Sequence, residues 1–375
     1  MSTDRRSLSS LLAAALLAGF ATAASAAAPT LPKYEHWVKL KPENSVIGNF
    51  PAQKKPILTV KSGDTVRIDG GGGNRWMEQD PFAWIKDNGI KLNAEETAAI
   101  REIDTVIKDT PRQGEIKTGH LLIGPIAVEG AMPGDTLEVR IIKVVPRLPY
   151  GTVGQRSGRG AIPDDVKEPF TVVVNFDEAR TMGSFGGGIE VPLHAFQGVM
   201  GVLPAESEGP NRRSGPPGVF GGNLDCKELI DGTSLYLPVF HPGALFFTGD
   251  SHAAQGDGEV TINAIETANT SVLQFVLHKG KKLSAPRAES ATHLMAFGLD
   301  PDLDTAMQMA TRETNSLLGD VYGLDFAHAF ALSSAAVDFR VTQVVDETKG
   351  IHSMIAKSLF TKAKLAPFWA AGKGR

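Results

Sequence analysis

The chain has 375 residues, 38 Lys and Arg against 42 Asp and Glu, a formal net charge of −4 and a single cysteine. Such a balance leaves no basic footprint for nucleic acid, and one cysteine excludes an intrachain disulfide framework. Its 40 glycines and 23 prolines make a turn-rich chain with few long helices, which leans the fold class to mainly β.

Residues 1–26 read as a signal peptide. Arg5 and Arg6 supply the charged start, a short Leu/Ala run follows, and Ala24-Ser25-Ala26 places the cut before Ala27. The arginine pair points to twin-arginine export, and the general secretory route fits the same residues. A periplasmic or secreted protein is expected. Residues 27–375 are ample for one large or two modest cores, and we read them as one mostly β domain. No second apolar run is long enough to span a bilayer.

One device recurs along this domain. "KSGDTVRID" (61–69), "MPGDTLEVRII" (132–142) and "IDGTSLYLPV" (230–239) each place Gly with Asp or Thr at a turn, then alternate apolar and polar residues. Period two means a strand with one buried face, and several of them make a sandwich-type signature. Further strands are expected at Leu122–Val128, Phe170–Phe176, Ala244–Thr248, Glu259–Ile265, Val272–Leu277 and Val337–Val345. Helices are expected at 93–108, capped by Asn93, and over 302–336 in two pieces. Their late position predicts a small α/β subdomain near the C-terminal part, beside a jelly-roll or sandwich-like body. The stretches 69–76, 150–165 and 208–223 read as long surface loops.

The densest chemistry lies in "TGDSHAAQGDGEV" (248–260), where Asp250, His252, Asp257 and Glu259 fall within ten residues. On strand geometry the spacing of two puts Asp250 and His252 on one face, and Asp257 and Glu259 repeat it on the return side. Short-range pairs with one imidazole are a sensible way to build a divalent-metal site. A loop of solvated acids around a satisfied core histidine fits the same pattern. Upstream, "GGNLD" offers Asn223 and Asp225 after two glycines, and "TGHLLIGPIAVEGAMPGD" offers His120, Glu129 and Asp135. A serine-hydrolase arrangement is imitated by "GDS" (249–251) with "DFAH" (325–328), yet the serine block lies mid-chain between two β-runs. Cys226 has only Lys227 as a cationic neighbour, so a thiolate nucleophile gets little support.

Longer blocks carry a family resemblance. "GPIAVEGAMPGDTLEVRI", "FGGNLDCKEL", "LYLPVFHPGALFFTGDSHAAQGDGEVTINAIE" and "VTQVVDETKGIHSMIAKSLF" together resemble the acetamidase/formamidase family. The resemblance implies hydrolysis of small linear amides to carboxylate and ammonia, a β-rich body with a small α/β part, metal dependence and a homo-oligomer. On matching positions it implies Asp225, Asp250 and His252 as metal ligands and Glu259 as ligand or general base. It further implies His120 as the group that polarises the carbonyl. Asn223, Glu129, Asp257 and Gln255 are the implied substrate-binding or supporting residues. An imidazole among the donors favours zinc over calcium. The leader and the stretch 69–99 stand apart from the family pattern and bear on the substrate. The competing class is a calcium-stabilised, non-enzymatic binding module of the cell envelope.

Overall fold

The alternating segments fold as their period dictates. In Thr65–Asp69, Val66 and Ile68 are fully buried, and in Thr136–Pro146 the inward face carries Leu137, Val139 and Ile141. With Asn269–His278 and Ser234–Pro238 they form consecutive, antiparallel neighbours in a nine-stranded sheet. The recurrent turn-then-strand device thus builds the middle of one sheet. The computed structural model describes residues 30–72, 79–113, 116 and 118–361. The expected signal peptide and residues 73–76 of the expected loop 69–76 lie outside them.

Among the described residues a second, six-stranded sheet runs in the order Gly221–Asn223, Phe196–Val202, Phe246–His252, Leu121–Val128 and Ser45–Ile47, with Leu58–Val60 also paired to Leu121–Val128. One core joins the two sheets: Ile123, Ile126, Val199 and Phe247 from the second sheet cluster with Ile68, Leu137 and Val139 from the first. Phe246 meets Phe275 across the layers edge to face, ring centroids 5.1 Å apart. Apolar inner faces of two sheets packed in this way define a sandwich.

The C-terminal α/β part is present but shares the large sheet. Helices Leu303–Tyr322 and Phe326–Ala336 cover the strands His293–Asp300 and Lys349–Ala356, burying Leu317, Leu318 and Val321 against Leu294 and Ile355. Asp302 and Asp325 cap their starts, and Gly323 ends the first in the left-handed conformation (φ 70°). The helix Ala94–Asp109 has a complete capping box between Asn93 and Glu96.

Three expectations are corrected. The segment expected as a strand at Glu259–Ile265 is a series of turns, because the backbone at Glu259 and Ile262 is left-handed. The supposed loop 150–165 begins with the strand Tyr150–Gln155, edge of a four-stranded arm with Phe170–Phe176, Met182–Gly186 and Ile189–Pro192. Its glycines mislead: a Cβ at Gly151 would lie 2.5 Å from Ile265 Cγ2, so that glycine serves close packing and no turn. The supposed loop 208–223 likewise contains two three-residue strands, Asn211–Arg213 and Gly221–Asn223, and its paired glycines lie hydrogen-bonded beside Met200 and Gly201.

Glu138, in the large sheet, is buried among Arg140 Nε (2.8 Å), Ser234 Oγ (3.0 Å) and His278 Nε2 (2.8 Å). Tyr236 beside it donates to Glu289, which also takes Lys357 (3.1 and 2.5 Å). Burial works against the Glu138 charge, but His278 and Arg140 outweigh it and hold the carboxyl below its ordinary 4.5. A depressed folded value stabilises the protein above the unfolded value and ceases to do so as pH falls through the folded one. Glu138→Gln is therefore expected to cost ~3 kcal/mol at pH 7. In denaturant titrations the gap to the parent should narrow below pH 4.5; a gap independent of pH would refute the assignment.

Candidate metal centre

Three neighbouring strands of the six-stranded sheet converge on one glycine. Phe196–Val202 pairs Val199 with Asn223 on one side and, on the other, Gln197 with Ser251 and Val199 with Gly249. That register sets Gly198 opposite Asp250. A Cβ on Gly198 would lie 2.3 Å from Asp225 Oδ1, 2.7 Å from Asp250 Oδ2 and 2.8 Å from His252 Cε1. The missing methyl is the space around which the polar groups gather.

Backbone strain accompanies the convergence. Asp225 (φ 47°), Asp250 (φ 58°) and Glu259 (φ 46°) all adopt the left-handed region, which costs a non-glycine residue ~1 kcal/mol or more. Asp225 is fixed in its turn by its own N–H on Gly198 O (3.2 Å) and by Gln255 Nε2 on its carbonyl (2.6 Å). Glu259 is carried inward by a turn stitched to the strand Asp338–Gln343: Gly258 N donates to Thr342 O, and Val344 N to Gly258 O, both at 3.1 Å.

His252 is the hub. It is fully buried, edge-on to Phe196 with centroids 5.0 Å apart. Asn269 Nδ2 bridges the backbone carbonyls of Phe196 and His252, 2.9 Å each, and so locks the two strand ends. The ring presents Nδ1 to Asp225 Oδ1 (3.8 Å), and Nε2 to Asp250 Oδ2 (3.3 Å) and Glu266 Oε1 (3.4 Å). His120 enters from the start of Leu121–Val128, with Nδ1 3.0 Å from Ser214 Oγ and Nε2 3.8 Å from Asp250 Oδ2.

The electrostatics are those of crowded acids. Burial raises Asp225 well above the ordinary carboxylate value, and Glu259, Asp346 and Asp250 raise it further. Burial followed by Asp346 and Glu266 does the same to Glu259, and burial pushes Asp346 up to about 6. Asp250 is the exception: burial opposes its charge, yet His120 and His252 hold it down at about 2. Both carboxylate oxygens of Asp225, Oε2 of Glu259, Oδ2 of Asp346 and both ring nitrogens of His252 are buried without a hydrogen-bond partner. Unpaired buried acceptors are costly, and a cation held by one ring nitrogen of His252 and the carboxylates on that side would satisfy several of them at once. Asp225, His252 and Glu259 offer donors within 4.8 Å of one another, as do Asp250, His252 and Glu266. Carboxylate oxygens with an imidazole nitrogen suit a divalent ion, so the residues present fit one.

Of the residues singled out in the sequence, Asp225, Asp250, His252, Glu259 and His120 come together here, and Gln255 braces them. Asn223 is buried one strand position before the Asp225 turn, its Oδ1 unpartnered. Two do not join. Glu129 is exposed at the far end of Leu121–Val128, because roughly 25 Å of strand separates it from His120. Asp257 faces outward onto Lys227 (2.9 Å), since the left-handed backbone at Glu259 breaks the alternation meant to align them. Sequence reasoning missed Gly198, Ser214, Glu266, Asn269 and Asp346. Glu266 and Asp346 each lay inside a family block and Ser214 inside a suspected functional loop; nothing local marked Gly198 or Asn269.

A second cluster, Cys226, Glu228 and His352, also lies within 4.8 Å. Most of its groups are in use: Cys226 Sγ donates to Glu228 (3.4 Å), Thr342 Oγ1 lies 2.8 Å from His352 Nδ1, and Arg340 donates to Glu228 (2.9 Å), while His352 Nε2 stands 3.2 Å from Glu228 as an ion-pair contact without a hydrogen bond. His352 and its neighbours hold Glu228 at about 2 against the opposing effect of burial. This network pins the turn that carries Asp225.

The family model described as the Acetamidase/Formamidase family matches residues 62–211 and 207–361. The chain belongs to that family. As a family member it is 25% identical over 272 residues to an acetamidase of Mycolicibacterium smegmatis, covering 56% of this chain and 66% of that one. To a formamidase of Methylophilus methylotrophus it is 28% identical over 208 residues, covering 42% and 51%. The matched regions thus span between about half and two thirds of these relatives' length. The crystal structure of an acetamidase from Bacillus halodurans superposes with a TM-score of 0.69 at 28% identity, covering 87% of this chain and 99% of that one.

Proposed function

We propose that this family member is an exported, metal-dependent amidohydrolase that cleaves the C–N bond of linear amides to carboxylate and ammonia. The observation that carries the reading is the set of buried, unpartnered donors of Asp225, His252 and Glu259, within 4.8 Å of one another, the first two bordering the space left by Gly198. Asp225, His252 and either Asp250 or Glu259 would hold the ion, and the imidazole favours zinc over calcium. When bound, a divalent ion supplies a Lewis acid that polarises the carbonyl and makes water acidic enough to attack.

The chain's own groups do the rest. Glu259 takes a proton from water as the water oxygen bonds to the carbonyl carbon, and returns it to nitrogen as the C–N bond breaks. Ammonia leaves, and the acid gives up its proton. Ser214 Oγ lies 3.0 Å from Nδ1 of His120, and in the tautomer where Ser214 donates, the protonated Nε2 is free to donate to the oxygen on which negative charge develops. Gln255 holds the Asp225 turn throughout.

The expected signal peptide and the family's oligomeric habit extend the proposal to a homo-oligomer in the periplasm or outside the cell. Among the described residues no helix is long and apolar enough to cross a membrane. Neither the family nor the relatives support the binding-module alternative. Purified mature protein is expected to release ammonia from formamide or acetamide, to lose that activity with a chelator and to regain it with zinc. Chelator-resistant release would overturn the metal role, and calcium in place of zinc on elemental analysis would overturn its identity.

A further inference from the structure

Beside the cluster lies a cavity of about 590 Å³ between the four-stranded arm and the turn that follows His252. Its walls are chiefly apolar, with Val153, Phe185 and Val191 from the arm facing Ile230, Ala254 and Ile265. Of the polar side chains that break this lining, three are tied to the cluster: Glu259 belongs to it, Gln255 Nε2 donates to Asp225 O at 2.6 Å, and Asn263 Nδ2 reaches Glu266 Oε1 at 3.5 Å. Thr261 Oγ1 is spent on Asn263 O at 3.0 Å, and the exposed His194 stands at the wall. The remaining charges at the wall are already matched. Lys227 pairs with Asp257 at 2.9 Å, and Glu228 is held by Arg340 and His352.

Acetamide, with four non-hydrogen atoms, fills about the volume of two or three waters, ~60–90 Å³. The cavity is several times larger and falls in the range that encloses drug-sized ligands, apolar walls with a few converging polar groups. Resting on the amidase reading, we infer that this cavity is an acyl pocket and that the preferred substrates are primary amides of uncharged, apolar acids with roughly five to ten carbons. The apolar part must lie on the acyl side, because a nitrogen released as ammonia carries only hydrogen. Each methylene that enters such a pocket leaves water, which strengthens productive binding about fourfold. Gln255 and Asn263 stand between the apolar walls and the cluster, so a chain held by those walls brings its carbonyl carbon toward the water on which Glu259 acts.

The test is kcat/KM along the series acetamide, butanamide, hexanamide and 3-phenylpropanamide, for the metal-replete protein and for Val191→Trp. Val191 lies on the short edge strand Ile189–Pro192 and is partly exposed, so a larger ring there narrows the cavity without entering the main core. The parent should gain about 250-fold over the four methylenes from acetamide to hexanamide, and Val191→Trp should remove at least tenfold of that gain while acetamide stays within threefold. A flat or falling series with acetamide still turned over overturns the acyl pocket and leaves the amidase reading intact. If no amide is turned over, the amidase reading fails, and calorimetry with hexanamide then decides the pocket. Binding at least tenfold tighter than that of acetamide upholds it; equal or absent binding overturns it.

Discussion

Gly198→Ala is expected to fold, to lose its metal and to lose at least ~1,000-fold in amide turnover. Gly198 has no left-handed φ, so the backbone accepts alanine, and a buried Gly→Ala change otherwise favours folding by ~0.4–1 kcal/mol through the unfolded chain. The new methyl, however, would stand 2.3 and 2.7 Å from the oxygens of Asp225 and Asp250. These oxygens and the His252 ring, whose Cε1 would lie 2.8 Å away, are side-chain atoms that must shift while the backbone stays, which spares the fold and spoils the donor geometry. Ligand distances of a metal site are held to ~0.2 Å, and a displacement of ~1 Å near reacting groups costs on the order of 100-fold by itself. Elemental analysis, circular dichroism and an ammonia assay on one preparation decide it. Retention of both metal and rate would mean that the ion does not use this space.

The second large effect separates ligand from base. His252→Ala removes the group shared by both donor sets, and activity should fall below detection together with the metal. The protein also loses the ring packed on Phe196, at a cost of ~2–4 kcal/mol. Glu259→Gln should behave differently. It removes one charge from a crowd in which burial, Asp346 and Glu266 already disfavour ionisation, so the thermal midpoint should hold or rise. Turnover should still fall by ~100-fold or more if Glu259 moves the proton. Retained metal with lost rate identifies a base; lost metal identifies a ligand; full activity would remove Glu259 from the mechanism.

Much of this site was legible because its residues are local in sequence. Asp250 and His252 occupy one strand end, and the spacing of two that predicts a shared face is realised at 3.3 Å. Asp225 and His120 were offered by "GGNLD" and a lone Gly-His, but these carried no role of their own until the family resemblance supplied one. The same spacing rule misplaced Asp257. Glu259 takes a left-handed backbone, the alternation is broken there, and Asp257 turns away from the cluster to Lys227. Asp250 is left-handed too but stays inside the strand Phe246–His252, whereas Asp257 and Glu259 lie in turns outside any strand, where a spacing of two implies no shared face.

What the sequence determined alone was a matter of local chemistry. Alternation after each Gly-Asp turn set the strands, Asn93 with Glu96 set a helix start, and one short segment concentrated the donors. These depend on neighbours within a few residues. Gly198, Glu266, Asn269 and Asp346 acquire their meaning only when strands distant in sequence are brought into register. A void, a buried orphan and a cavity wall are properties of packing, and packing joins residues that no short stretch of chain holds together.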